Sequence, residues 1–323
     1  MGSREASVVA VVLILSCAML FTEAGPRFFT QANIQNILRQ TGLLAVFSVG
    51  ETLVIITGGI DLSLGSLIAF SGMLVAMSVR FFSQWLEPAA AIPLAILVTL
   101  GVAFAIGCIH ATLIHYLRLP PFVVTLASLL ILRSNAAMMN DQLPITIEGF
   151  PALLWLANGT LFEGTPVPVP VPLAVLAVIG TAAAILLTRT RVGRYLYSVG
   201  SNEAATRLSG VNVYKVKLFA YGMSAVLGGL AGVMYASFGQ QGDPRAGAAY
   251  ELDAVAASVV GGASLAGGQG SALGACLGAL LLHLIFSAIN LTLARPDIWR
   301  GTVVGGVLLF AVLVTALQQR RSS

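Results

Sequence analysis

Two carboxylates, Glu51 and Asp61, stand in stretches otherwise made of apolar residues, glycine, serine and threonine. An ionisable group inside an apolar span costs roughly 2.5–3.5 kcal/mol on insertion scales, so it faces a protein interior or a water-filled path. Glu51 lies seven residues after Leu44, on the helix face of Phe47, and reads equally as a path lining that hydrogen-bonds solute hydroxyls and as a structural partner for a neighbouring helix. Asp61, two residues before Ser63, reads as a cap for the helix that follows. Further along, His283, Ser287 and Asn290 recur at four and three residues and form one polar stripe on a helix. A stripe of that kind inside a bundle lines a pore or makes interhelical hydrogen bonds, and the pore is the reading adopted here. With Ser63 and Ser264 from two glycine-rich stretches, these residues are the candidate translocation path.

Other chemistry finds little support. His110 and His115 are five residues apart, on different helix faces, and no histidine spacing suits a metal. Cys17, Cys108 and Cys276 lie in apolar runs without a CxxC pair, as buried thiols do. An intramembrane aspartyl protease needs two facing aspartates within spans, whereas Asp141, Asp243 and Asp297 fall in loops and Asp253 at a helix end. The only lysines, Lys215 and Lys217, follow no glycine as a phosphate-binding loop demands, so the chain holds no nucleotide by that route. The formal charge of +4 is too small to argue for nucleic acid.

The elements that must position these residues are membrane helices. Only 9% of the 323 residues are charged and 57% are hydrophobic, with a mean hydropathy of +0.92, whereas globular chains are about 25% charged. Apolar runs long enough for a ~30 Å hydrocarbon core give spans at Val8–Phe21, Thr41–Thr57, Leu64–Phe82, Ile92–His115, Phe122–Met139, Val171–Thr188, Leu218–Phe238, Ala272–Leu293 and Thr302–Leu317, with a short, Gly-flanked Asp253–Gly261 between them. The expectation is an all-α polytopic membrane protein, one transmembrane domain over residues 1–323, with about ten transmembrane helices. The short segment is a broken or re-entrant helix, tolerable only where protein surrounds it. Val8–Phe21 reads as a span rather than a cleaved signal, since no small-residue cleavage site closes it. With both termini inside, ten Lys and Arg fall on the cytoplasmic side, among them Arg4, Arg118, Arg320 and Arg321, and six outside. Thr165–Pro172, with proline at alternate positions, predicts an extended spacer.

Six of the 17 Lys and Arg crowd into residues 189–217, one polar cytoplasmic loop. Arg189–Arg194 ends the sixth span. Ser201 or Asn202 caps a helix of about two turns, with Glu203 in its first turn and Gly210 as its stop. A helix this short is marginal alone, which makes it either a linker or a docking element for a soluble partner. Two glycine-rich breaks, Thr57–Ser66 and Val260–Ser271, interrupt the two halves, a pattern of transporters built from inverted repeats. The pairs Gly228/Gly232, Gly274/Gly278 and Gly301/Gly305 read as helix-packing contacts.

At these breaks the sequence resembles the ribose/xylose/galactose-type permeases of ABC importers. The resemblance is carried by Gly58-Gly-Ile-Asp-Leu-Ser-Leu-Gly-Ser66, Gly193-Arg194, Val199-Gly-Ser-Asn-Glu-Ala-Ala205, Ser209-Gly-Val211, and Glu251-Leu-Asp-Ala254 with Val260-Gly-Gly-Ala-Ser264. It implies a ten-helix permease in the cell (inner) membrane that pairs with a second copy or a similar permease. Outside it would receive a periplasmic or lipid-anchored sugar-binding protein, and inside it would engage an ABC ATPase. The chain itself would bind no cofactor, ATP with Mg being used by the partner. Gly200, Ser201, Asn202, Glu203, Ala204, Ala205, Ser209 and Gly210 would form the ATPase-coupling helix. Glu51 departs from the pattern, which has Met at that place. A proton-coupled secondary transporter titrating Glu51 and Asp61 is the alternative, and a membrane enzyme or a purely structural membrane protein the weaker ones.

Overall fold

In hydrocarbon the backbone must satisfy its own polar groups, and long apolar runs do so as helices. The computed structural model describes residues 3–165 and 167–322. In chain order the elements are α1 (Ser3–Leu20), α2 (Gly25–Phe28), α3 (Gln31–Ile56), α4 (Leu64–Phe82), α5 (Pro88–Tyr116), α6 (Pro121–Met138), β1 (Ile145–Thr146), α7 (Pro151–Asn158), β2 (Thr160–Leu161), β3 (Val169–Pro170), α8 (Val171–Arg189), α9 (Arg191–Ser201), α10 (Glu203–Leu208), α11 (Val213–Gly239), β4 (Gln241–Gly242), α12 (Tyr250–Val260), α13 (Ala272–Thr292) and α14 (Pro296–Ser322). The side chains of Arg4, Arg320 and Arg321 lie outside the described set, as does Pro166 altogether.

Among the described residues seven helices are long and apolar enough to cross a membrane: α3, α4, α5, α6, α8, α11 and α13. The expected ten are not matched in number: among the described residues α1 and α14 enter only as the shorter apolar segments Glu5–Leu20 and Ile298–Leu309, and α12 has 11 residues. The protein is polytopic and helical, with strands confined to two short antiparallel pairs, β1 with β4 and β2 with β3.

The innermost helix is α3. It is buried along nearly its whole length from Thr41 to Ile56 and packs against α8, α11, α12 and α13. It also starts ten residues before the expected Thr41. Thr30 caps it, its hydroxyl accepting from the Asn33 N–H at 3.3 Å, so a polar first stretch is helical as well. Helix α11 threads between α3, α4 and α5. Gly228 and Gly232 face α4, and Gly274 and Gly278 face the backbone of α12, as close-packing contacts. Gly301 and Gly305 differ, with open space beside them in this chain.

Two further expectations are corrected. Of Arg189–Arg194, expected to end the sixth span, residues 191–194 instead open a separate helix, α9. Thr190 turns extended (φ −105°, ψ 161°) and its hydroxyl accepts from Gly193 N–H at 3.1 Å, starting α9 afresh with Gly193, Leu196 and Val199 buried. The proline run is not a free spacer, since Val169 and Pro170 pair with Leu161 and Thr160.

The tightest packing lies where α3 ends. Gly268 N–H donates to the Ile56 carbonyl at 2.9 Å. A Cβ on Gly200 would run into that same carbonyl and into the Gly268 nitrogen. Gly267, at φ +86°, lies against the Gly200 carbonyl and the Gly58 backbone. Both glycine breaks and the end of α9 therefore meet backbone to backbone. Gly200→Ala is expected to cost about 1–3 kcal/mol by overpacking, read as a lower melting temperature of the purified protein. Gly301→Ala, where space is open, should leave it unchanged.

Candidate functional site

Polar groups concentrate at three levels along α3. Beyond its C-terminus lies the loop end, where α10 sits. Asn202 caps α10, its side-chain oxygen accepting from Ala205 N–H at 2.9 Å. Ser209 ends it, and Gly210 turns away at φ +81°, a left-handed position that suits glycine. Of the predicted coupling residues, Gly200 and Ser201 close α9, Asn202 is the cap, Glu203, Ala204 and Ala205 form the first turn, and Ser209 and Gly210 the stop. Thr206 alone of α10 is buried, and Leu208 at the tip is 90% exposed. The helix is moored by Glu203, which accepts from Lys217 Nζ at 2.8 Å and from Arg207 Nη2 at 2.9 Å. Partial burial pushes the Glu203 carboxyl up, but hydrogen bonds and charge from Lys217 and Arg207 outweigh it and hold the group below its ordinary range. Tyr197 on α9 donates to the Gly270 carbonyl at 2.8 Å, and burial, with Glu5 nearby, pushes its hydroxyl up.

The middle level is sealed. Glu51 and Asp61 are both fully buried. Glu51 Oε1 accepts from Asp61 N–H at 3.2 Å, and Asp61 Oδ1 accepts from Ser63 N–H at 3.0 Å and Ser63 Oγ at 2.6 Å. The two acids thus tie the first break to α3 and shape the start of α4. Neither lines the cavity at either end of α3. Ser264 sits in the second break, where its N–H donates to Gln269 O and its carbonyl accepts from Gly267 N–H, also buried.

At the far end of α3 a cavity of about 340 Å³ opens, and His283, Ser287 and Asn290 all line it. Opposite them stand Asn33, Asn36 and Gln40 of α3, at the i, i+3, i+7 spacing of one helix face. Ser287 Oγ and the Asn33 amide hydrogen-bond each other at 3.0–3.1 Å. Tyr235, Tyr250 and Phe286 supply aromatic walls. Arg300 donates to Asp253 Oδ2, and its guanidinium lies 4.6 Å from the Phe286 ring centre and 5.2 Å from that of Tyr250. Arg300 lies near the start of α14 and belongs to this wall. The α3 amides were missed because they precede the apolar run, although their spacing was there to read.

The arrangement is two cavities at opposite ends of a buried helix, with a display helix beside one of them, and no group among the described residues that could hold a metal. A family profile described as branched-chain amino acid transport system / permease component matches residues 33–313. The chain belongs to this permease family. It is 38% identical to the ribose import permease protein RbsC of Escherichia coli K12 over 98% of this chain and 94% of the relative. It is 35% identical to RbsC of Bacillus subtilis (90% and 86%), and 31% identical to the xylose transport system permease protein XylH of Escherichia coli K12 (97% and 92%). No solved structure matches. A permease of this family is the non-enzymatic membrane component of its transport system, multi-pass in the inner membrane.

Two measurements test the roles of the acids in this permease. Glu51→Gln keeps the acceptor for Asp61 N–H in a side chain of nearly the same shape, so thermal stability should stay within about 1 kcal/mol. Glu51→Ala loses the acceptor and leaves a void, costing about 3 kcal/mol. The depressed Glu203 carboxyl stabilises the loop fully above the ordinary glutamate value of about 4.3, and that contribution disappears as pH falls through its lower folded value. A spin label at position 205, in a cysteine-free background, should therefore gain mobility on acidification below that range. Glu203→Gln should remove the pH dependence.

Proposed function

We propose that this permease carries a monosaccharide or a similarly hydroxylated solute inward as part of an ABC importer. The far-end cavity carries the reading. Its lining is amides, hydroxyls, an imidazole and aromatic rings, and its one cation and one anion, Arg300 and Asp253, are paired with each other. Such a wall offers hydrogen bonds and flat apolar faces to an uncharged polyol. A zwitterionic amino acid, which the family description names, needs a free cation for its carboxylate, and the pair leaves none open. The near full-length relatives named for ribose and xylose support the same choice.

On this reading the chain is one permease domain crossing the membrane ten times, by the seven long helices together with α1, the broken α12 and α14. The end bearing α10 faces the cytoplasm, as do both termini, and the far-end cavity faces outward to receive solute from a periplasmic or lipid-anchored binding protein. A second copy or a similar permease completes the pore, meeting the membrane lipid on its outer faces. The exposed surface of α10, ending in Leu208, seats in a separate ABC ATPase, which binds ATP with Mg and leaves this chain without a cofactor of its own. Nucleotide binding draws the paired α10 helices together and exchanges outward for inward access. His283, Ser287 and Asn290 line the solute's entry. Glu51, Asp61, Ser63 and Ser264 hold the two breaks that must shift as access alternates. A proton-coupled mechanism gains nothing from Glu51 and Asp61, which neither cavity reaches.

The test is reconstitution with the cognate ATPase and binding protein. Gly210→Pro, which cannot adopt φ +81°, and Glu203→Arg, which loses the contacts that moor α10, should disorder α10 yet still insert in the membrane. Both should lose solute uptake and solute-stimulated ATP hydrolysis by tenfold or more. Unaltered uptake would remove the coupling role from α10, and uptake without ATP in vesicles holding the chain alone would overturn the importer.

A further inference from the structure

The cavity at the loop end, about 650 Å³, lies at the opposite end of α3 from the cavity assigned to solute entry. It lies between α10, the first glycine break and the turn that joins α5 to α6. Three cations line it, Arg118, Arg207 and Lys217, against the single acid Glu203. Glu203 is committed to both Lys217 and Arg207, while Arg118 has no ion-pair partner among the described residues. Two more of its lining residues carry buried polar atoms without a partner, Tyr221 Oη and His115 Nδ1. Tyr221 is 1% exposed. A buried hydroxyl without an acceptor is costly, and an excess of cations beside it calls for an anion that also accepts hydrogen bonds.

We propose that this cavity binds a phosphate group, carried by a phosphorylated small solute or by an anionic phospholipid headgroup. Arginine and lysine together suit phosphate, the guanidinium as a fork and the ammonium as a point charge. The volume falls in the range of about 300–1,000 Å³ typical of small-ligand clefts, enough for a body bearing hydroxyls as well as the phosphate. A bound phosphate competes with Glu203 for Lys217 and Arg207, the two contacts that moor α10. Occupancy therefore loosens the display helix and slows coupling. This regulatory half rests on the reading of α10 as the ATPase contact, and the binding half does not.

Binding is measured on the full chain alone, in nanodiscs, without ATPase. In one arm, phosphatidylcholine discs are titrated with ribose 5-phosphate, inorganic phosphate and ribose. In the other, discs containing phosphatidylglycerol are analysed by native mass spectrometry for retained lipid. The probe variant is Arg118→Gln, with Arg118→Lys as the conservative partner. Arg118 has φ +53°, and glutamine already holds that conformation at Gln142 and Gln240, so the substitution is accommodated. Saturable binding of ribose 5-phosphate but not ribose, weakened at least tenfold by Arg118→Gln and partly restored by Arg118→Lys, identifies a soluble phosphate ester. Retention of phosphatidylglycerol that Arg118→Gln abolishes, without soluble binding, identifies the lipid. Binding in neither arm, or binding that Arg118→Gln leaves unchanged, overturns the site. In the assembled transporter the bound species should slow solute-stimulated ATP hydrolysis at least threefold in the wild type and not in Arg118→Gln. Equal rates would overturn the regulatory half while leaving the site, and the importer reading, standing.

Discussion

The Ile56 carbonyl at the end of α3 is the point on which the rest of the structure depends. A helix end leaves its last carbonyls without intrahelical donors, and here one of them is satisfied by Gly268 N–H from the second break. Gly200, at the end of α9, closes over the same carbonyl so tightly that no side chain fits between. Three segments far apart in sequence are thereby joined through backbone, which deforms less readily than side-chain contacts. Tyr197 adds a second tie from α9 to Gly270. A displacement of α10 reaches both breaks with few compliant contacts in between. That contiguity is what a device converting a pull at one end into a change of access at the other requires, since coupling travels through packed, connected elements.

The cost of polarity in hydrocarbon explains where each charged group sits. Glu51 and Asp61 are sealed and used to shape backbone: one oxygen of each accepts, from Asp61 N–H and from Ser63, while the other oxygen of each is buried without a partner among the described residues. Asp253 is buried too, but it meets Arg300, and the pair is framed by Tyr250 and Phe286. The first arrangement holds a bend in the chain. The second presents an electrically closed wall to a cavity, leaving amides and hydroxyls as its open valences. On the proposed reading, an uncharged solute would gain hydrogen bonds there without having to displace a counter-ion.

What the sequence disclosed follows from the range of the interactions involved. Helix α10 was legible because its signals are local: Asn202 as cap, Glu203 in the first turn and Gly210 at the stop all act within a few residues. The bounds of α4, Leu64–Phe82, follow as directly from its apolar run. Helix α9 was hidden because its polar face, with Arg191 and Arg194, resembles a span's charged end, although Thr190 and the buried series Gly193, Leu196 and Val199 mark a fresh start. The amides Asn33, Asn36 and Gln40 lower the hydropathy of α3's first turns, so a criterion of apolarity truncates a helix that capping extends. The stripe of His283, Ser287 and Asn290 could be read from spacing, but not the wall facing it, because Asp253 and Arg300 are brought together across 47 residues. Of the polar residues grouped as one path, the fold separates His283, Ser287 and Asn290, at a cavity, from Glu51, Asp61, Ser63 and Ser264, in the breaks.

The smallness of α10 is itself an argument about mechanism. Six residues supply too few intrahelical hydrogen bonds for independent stability, and one buried side chain, Thr206, adds little apolar burial. Its order therefore rests on the Asn202 cap and on Glu203 bridging Lys217 and Arg207. Elements that move are drawn from the least stable parts of a fold. Here that weak element is attached, through Gly200, to the most rigid junction in the chain. On the proposed reading, a partner that grips Leu208 and the exposed face around it would reorient α10 without first unpacking a core, and the backbone junction would carry the motion onward to the two breaks.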